Sequence, residues 1–182
     1  VNLSIAVNLS ARDLLDRNLP RMLEHTLEDF GMPASCLTLE ITEEAAMHDI
    51  DRAAEVLSKL KGIGCYTSMD DFGTGYSSLA HLQKLAVDEL KMDRAFVKHL
   101  PDKPHNVAIV RSVIDLAHNL GMEVVAEGVE TTAALRWLRE AGCERAQGFY
   151  LSKPMAAERF ISWLHDWDSL AVEEHGNSDP TD

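Results

Sequence analysis

The chain has 182 residues, of which 46% are hydrophobic and 26% charged, and its formal net charge is −13. Such a length and make-up suit one globular domain with a full core rather than two domains. The acidic balance excludes a broad basic surface for duplex DNA or RNA, whose binding rests on phosphate neutralisation.

The first strand run is Ile5-Ala6-Val7, ending at Asn8. A helix is predicted over Leu19–Phe30, with Pro20 in its first turn, Gly31 beyond its end, and Leu23, Leu27 and Phe30 on one face. Leu37-Thr38-Leu39 leads into Glu40, and a helix from Asp49 to Lys61 repeats Ile50, Ala54, Leu57 and Leu60 before Gly62. Tyr66-Thr67-Ser68-Met69 ends in the pair Asp70-Asp71, and a short helix is expected over Ser77–Leu85. Glu89-Leu90 ends in Lys91. The stripe Val107, Val110, Ile114 and Ala117 marks a helix over Pro104–Leu120, stopped by Gly121. Val124-Val125-Ala126 ends in Glu127, a helix follows over Thr132–Ala141, and Gln147 precedes the last run, Gly148-Phe149-Tyr150-Leu151. After a helix over Ala157–Leu164 the chain collects Glu, Asp, Gly, Asn, Ser and Pro. A domain over residues 1–168 and a disordered acidic tail over 169–182 are expected.

Strands alternating with helices argue for a parallel sheet. Six units of roughly 30 residues each fall about two short of an eight-stranded barrel of ~250 residues. Either the sheet is open, or this is a (β/α)8 barrel lacking its first quarter; a chain that starts inside a strand pattern favours the second. In both, the C-terminal ends of the strands share one face, where such folds place their chemistry.

That face collects Asn8, Glu40, Asp70, Asp71, Lys91 and Glu127. Adjacent acids resist joint ionisation, and divalent cations remove that cost. Two ions about 3.5–4 Å apart can share a carboxylate and clamp an in-line displacement at phosphorus. Carboxylate and amide oxygens suit Mg²⁺ or Mn²⁺, so the acidic charge is compatible with a small phosphate ligand. Lys91 beside such ions can orient an attacking water and offset phosphate charge. Glu127 serves as general base or second metal ligand. Glu130 is either part of this chemistry or an acid in the first turn of the next helix. Gly73-Thr74-Gly75 makes a loop that bends sharply and turns backbone N–H groups to an anion. Asp71-Phe72-Gly73 invites a kinase reading, but no Gly-rich strand loop and no HRD segment accompany it.

Other classes find no support. Cys36, Cys65 and Cys143 lack zinc or disulfide spacing and read as core thiols in a reducing cytoplasm, and the eight histidines form no HExxH. No run approaches the roughly 18 apolar residues of a spanning helix. No basic-then-apolar leader supports secretion.

The runs Val7-Asn8-Leu9-Ser10, Leu39-Glu40-Ile41-Thr42-Glu43, Asp70-Asp71-Phe72-Gly73-Thr74-Gly75, Leu90-Lys91-Met92-Asp93, Ala126-Glu127-Gly128-Val129-Glu130 and Gln147-Gly148-Phe149 occur in the order of the EAL domain family, which this chain resembles from Val1 to Trp167. The resemblance implies a (β/α)8-type barrel that hydrolyses cyclic di-GMP to linear pGpG with Mg²⁺ or Mn²⁺. It implies Asn8, Glu40 and Asp70 as ligands of a first ion and Asp70 with Asp71 as ligands of a second. Lys91 would position the water, with Glu127 as base or water ligand, Gln147 and Glu130 near substrate or behind the ligands, and Glu43 anchoring the Gly73-Thr74-Gly75 loop. It further implies a cytoplasmic domain, dimerisation, and sensory or GGDEF domains or a membrane tether upstream. The Glu-Ala-Leu signature that names the family is absent; it belongs on a strand before the Asn8 motif, where its glutamate is a further ligand. An EAL-like receptor that binds the nucleotide without cleaving it is the alternative.

Overall fold

A computed structural model describes residues 3–73 and 79–165. The chain divides into two compact units, Val1–Leu151 and Ser152–Asp182. The first contains six parallel strands hydrogen-bonded in sequence order: β1 (Ile5–Leu9), β2 (Leu37–Thr42), β3 (Tyr66–Phe72), β4 (Glu89–Met92), β5 (Glu123–Ala126) and β6 (Arg145–Ala146). Its helices are α1 (Ala11–Leu15), α2 (Leu19–Phe30), α3 (Glu43–Met47), α4 (Ile50–Ile63), α5 (Leu79–Leu85), α6 (Arg94–Val97), α7 (Pro104–Asn119) and α8 (Thr132–Glu140). Every connection is a crossover, as parallel pairing requires. β1 and β6 are the edges, so the described strands form an open sheet. Among the described residues, no helix is long and apolar enough to cross a membrane.

The helix boundaries follow from local chemistry. Asp49 caps α4, its carboxylate accepting the Arg52 N–H, and Gly64 ends that helix in the left-handed region at φ 102°. Pro20 and Pro104 occupy first-turn positions in α2 and α7. Thr131 caps α8 by accepting the Ala134 N–H.

Register sorts the side chains. Asn8, Glu40, Ser68, Glu89 and Glu123 form one row across five strands. Because strand side chains alternate, Thr38, Thr42, Asp70 and Lys91 share that face. The opposite face presents Leu39, Ile41, Met69, Leu90, Met92 and Val124, all essentially inaccessible, to the apolar sides of the helices. Hydrophobic burial therefore fixes which face points to the helices, and the polar side chains are left together on the other.

Two expectations are corrected, the place of the last strand and the burial of the cysteines. The last strand is Arg145–Ala146, before Gln147, while 149–151 form a turn with Phe149 and Tyr150 exposed. Gly148 lies so close to Val129 that a Cβ would sit 2.2 Å from its carbonyl oxygen, so only glycine fits there. Cys65 is buried, whereas Cys36 and Cys143 are only partly so, and all three are free thiols. In the second unit a helix runs over residues 157–165, with Phe160 and Trp163 stacked at 5.7 Å. The expected tail over 169–182 lies outside the described residues.

Candidate active site

Lys91 is the centre of the polar face. It is 5% exposed. Its Nζ lies 3.0 Å from Glu40 Oε1, 3.2 Å from Asp70 Oδ1 and 2.8 Å from Glu127 Oε1. Burial works against the ammonium, but hydrogen bonds to Glu127 and Glu40 and the negative charge of Glu127 and Asp70 outweigh it. The lysine is thereby held charged, above its ordinary pKa. Glu127 is also shifted up, first by burial and further by Asp70 and Glu40, with Lys91 pulling the other way. The Lys91 shift reflects carboxylates that outnumber cations here, the Glu127 shift chiefly its burial.

The adjacent acids act together through a backbone irregularity. β3 and β4 pair at Met69↔Leu90 and again at Phe72↔Met92, so β3 holds one extra residue between these points. Asp71 takes φ 55°, in the left-handed region. In a regular strand Asp70 and Asp71 would face opposite sides. The bulge re-aims one of them, and Asp70, Asp71 and Glu127 each present an oxygen within 4.8 Å of the others. Asp71 is pushed up by burial, then by the charges of Asp70 and Asp93, against Lys91. Three carboxylates at this separation are a hard-oxygen donor set that suits a divalent cation.

Asn8 is exposed and stands beside Glu40 in register. Glu43 opens α3 after its cap Thr42, is buried, and accepts the Gly73 N–H at 3.4 Å. Gly73 has φ 95°, and a Cβ there would meet the Phe96 ring at 2.9 Å, so glycine is required twice over. Thr74 and Gly75 lie outside the described residues. The Gln147 side chain is exposed, and its backbone braces the loop after β5: its N–H donates to Ala126 O at 2.8 Å and its carbonyl accepts from Val129 N–H at 3.0 Å.

Glu130 does not open a helix. α8 starts at Thr132 with no acid in its first turn, and Glu130 pairs with Arg94 at 2.7 Å instead. Asp93 follows β4 directly. It caps α6, accepting the Ala95 N–H at 2.7 Å, and its field reaches Asp71. An acid two residues after a strand-end lysine was the available signal.

Parallel strands that bring acids and a buried lysine to their C-terminal ends define an α/β protein with a metal-competent acidic site. The EAL domain model matches residues 1–154, and the chain belongs to the EAL domain family. It is 43% identical over 162 residues to the cyclic di-GMP phosphodiesterase NbdA of Pseudomonas aeruginosa, covering 87% of this chain and 21% of that protein. The chain spans about a fifth of the length of the curated relatives it matches. Among solved structures, the EAL domain of Mycobacterium smegmatis DcpA aligns with a TM-score of 0.85 at 41% identity, over 91% of this chain and 74% of that one. The PaMucR phosphodiesterase in complex with c-di-GMP aligns with a TM-score of 0.80 at 42% identity, over 86% and 64%.

Proposed function

We propose that this chain is the larger part of an EAL domain, over residues 1–168, that hydrolyses one phosphodiester of cyclic di-GMP to linear pGpG. The observation that carries the reading is the convergence of Glu40, Asp70, Asp71 and Glu127 around one buried lysine. The name of the relative NbdA and the nucleotide-bound PaMucR structure support the substrate.

Asn8, Glu40, Asp70 and Asp71 would hold two Mg²⁺ or Mn²⁺ ions, and a Glu-Ala-Leu glutamate on a preceding strand would be a further ligand. When bound, these ions supply Lewis-acid activation of water and charge neutralisation at phosphorus. Lys91, held charged, orients the attacking water and offsets charge on the phosphoryl oxygens. Glu127, whose carboxyl is held above its ordinary range by burial, would take the water's proton or serve as a further ligand beside Asp70 and Asp71. The water oxygen bonds to phosphorus, the bond to the opposite ribose oxygen breaks, and that oxygen takes up a proton. One linkage opens and the second stays intact. Glu43, which accepts the Gly73 N–H, would anchor the loop that begins there, and Gln147 and Glu130 would contact substrate or stand behind the ligands. In a cell the domain would work in the cytoplasm, as a dimer and downstream of sensory or GGDEF domains.

The test is turnover of cyclic di-GMP under excess Mg²⁺ or Mn²⁺, using the protein with its preceding residues present, as wild type and Glu40→Ala. Release of pGpG by wild type and its loss in the variant supports the enzyme and the metal face together. Tight nucleotide binding without turnover overturns the catalytic reading and leaves a receptor.

A further inference from the structure

The segment from β4 into α6 and the loop after β5 are tied by two cation–carboxylate pairs at matching spacing. Lys91 and Arg94 lie three apart on one segment, Glu127 and Glu130 three apart on the other. The inner pair, Lys91–Glu127, is 2.8 Å long and shielded, and the outer pair, Arg94–Glu130, is 2.7 Å long and more open. Between the pairs lies Gly128, at φ 67°. A Cβ at Gly128 would fall 2.3 Å from Arg94 Cγ, 2.7 Å from its Cβ and 2.9 Å from its Cδ. The aliphatic stem of Arg94 therefore rests directly on the Gly128 backbone, and any larger residue there would displace it. On the far side of this loop, Gly148 approaches Val129 as closely. The Glu127–Glu130 segment is gripped from both sides.

We propose that Arg94 and Glu130 are positioning residues: their pair, with the Arg94 stem across Gly128, holds Glu127 against Lys91 and the carboxylate cluster. An exposed ion pair alone contributes little. The stem contact is what makes Arg94 the stronger half, because a long arginine stem packs as an apolar group. The proposal rests on the phosphodiesterase reading only for what Glu127 does in turnover; the clamp itself is read without substrate.

The experiment compares Arg94→Ala, Arg94→Lys, Glu130→Gln and the Arg94→Ala/Glu130→Gln double variant with wild type. Hydrogen exchange is followed at the amides of Glu127 and Val129, which donate to Met92 O and Gln147 O. Mn²⁺ binding is counted by electron paramagnetic resonance, and kcat and KM are measured for cyclic di-GMP. For Arg94→Ala we expect about tenfold faster exchange at those two amides with α4 and α7 unchanged, and about tenfold weaker Mn²⁺ binding. Its kcat should fall about tenfold, with KM within about twofold. Glu130→Gln should move each quantity about threefold, the double variant should be no worse than Arg94→Ala, and Arg94→Lys should recover part of the loss. Wild-type exchange and Mn²⁺ affinity in Arg94→Ala overturn the proposal, as does an additive double variant. If wild type binds Mn²⁺ but does not turn over, the phosphodiesterase reading fails while the exchange and Mn²⁺ results still decide the clamp.

Discussion

Each end of the polar sheet face sets one cation among carboxylates, to different effect. At the N-terminal end, Arg145 reaches Glu89 and Glu123 at 2.6 Å each, and its guanidinium lies 5.6 Å over the Tyr66 ring. One planar fork serves two carboxylates and stacks on an aromatic face, which is what arginine does well. At the C-terminal end, one ammonium faces Glu40, Asp70 and Glu127, with Asp71 beside them. Crowded carboxylates in a shielded place are costly unless their charge is met. The first cluster holds the sheet together. The second keeps a surplus of negative charge that stability does not call for and a divalent cation satisfies.

Lys91→Met should break this contrast most severely. Removing one partner of a buried ionic cluster costs about 3–5 kcal/mol, and turnover should fall at least ~10²-fold with the loss of the charge that orients water. The informative measurement is urea unfolding with and without Mg²⁺. The ion should restore more stability to Lys91→Met than it adds to wild type, because it meets carboxylates that no longer have an ammonium. Equal increments would mean that the surplus charge and the ion are unrelated. Arg145→Ala is the matched change at the other end. Arg145 is about half exposed, so solvent screens part of its pairing and the cost should be nearer ~2 kcal/mol. That cost should be the same with and without Mg²⁺, and kcat should stay within about twofold of wild type. A Mg²⁺-dependent loss would join the two ends into one network.

Much of this arrangement was legible in the chain itself, and the exceptions have physical reasons. Pro20 and Gly31 bounded α2 at Leu19–Phe30, as observed, and Asp49, expected inside the next helix, proved to be its cap. The positions of Lys91 near the end of β4 and Glu127 just after β5 followed from short apolar runs between helical periods, whereas β2 continues two residues past Glu40. The bulge at Asp70-Asp71 did not, because a one-residue slip depends on what β4 offers as a partner, and that lies outside any local window. The short helices α1, α3 and α6 are too brief for a periodic signal. β6 was misplaced for the converse reason: Arg145-Ala146 has no apolar pattern, whereas the neighbouring Phe149 and Tyr150 do and stay exposed. The Arg94–Glu130 pair was invisible for want of any rule linking two loops.

The smallest expected effect is also the sharpest, because its sign is unusual. Asp71 sits above the ordinary carboxylate range, first through burial and then through Asp70 and Asp93. A carboxyl raised above its unfolded value of about 3.9 favours folding when protonated. Its contribution is complete below that value and is lost as pH rises through the higher folded value, so at neutral pH the metal-free protein is strained by this charge. Asparagine never ionises and tolerates the left-handed φ that Asp71 adopts. Asp71→Asn should therefore stabilise the metal-free protein at pH 7, by only about 0.5 kcal/mol because solvent screens part of the repulsion. The gain should shrink to nothing as pH falls towards 4. With Mg²⁺ at saturation the order should reverse, since wild type gains binding free energy that the variant has largely given up. Urea midpoints across pH 4–7, with and without Mg²⁺, decide it. If Asp71→Asn is less stable than wild type at pH 7 without metal, the C-terminal cluster carries no more negative charge than the fold tolerates, and its acids need another explanation than a cation.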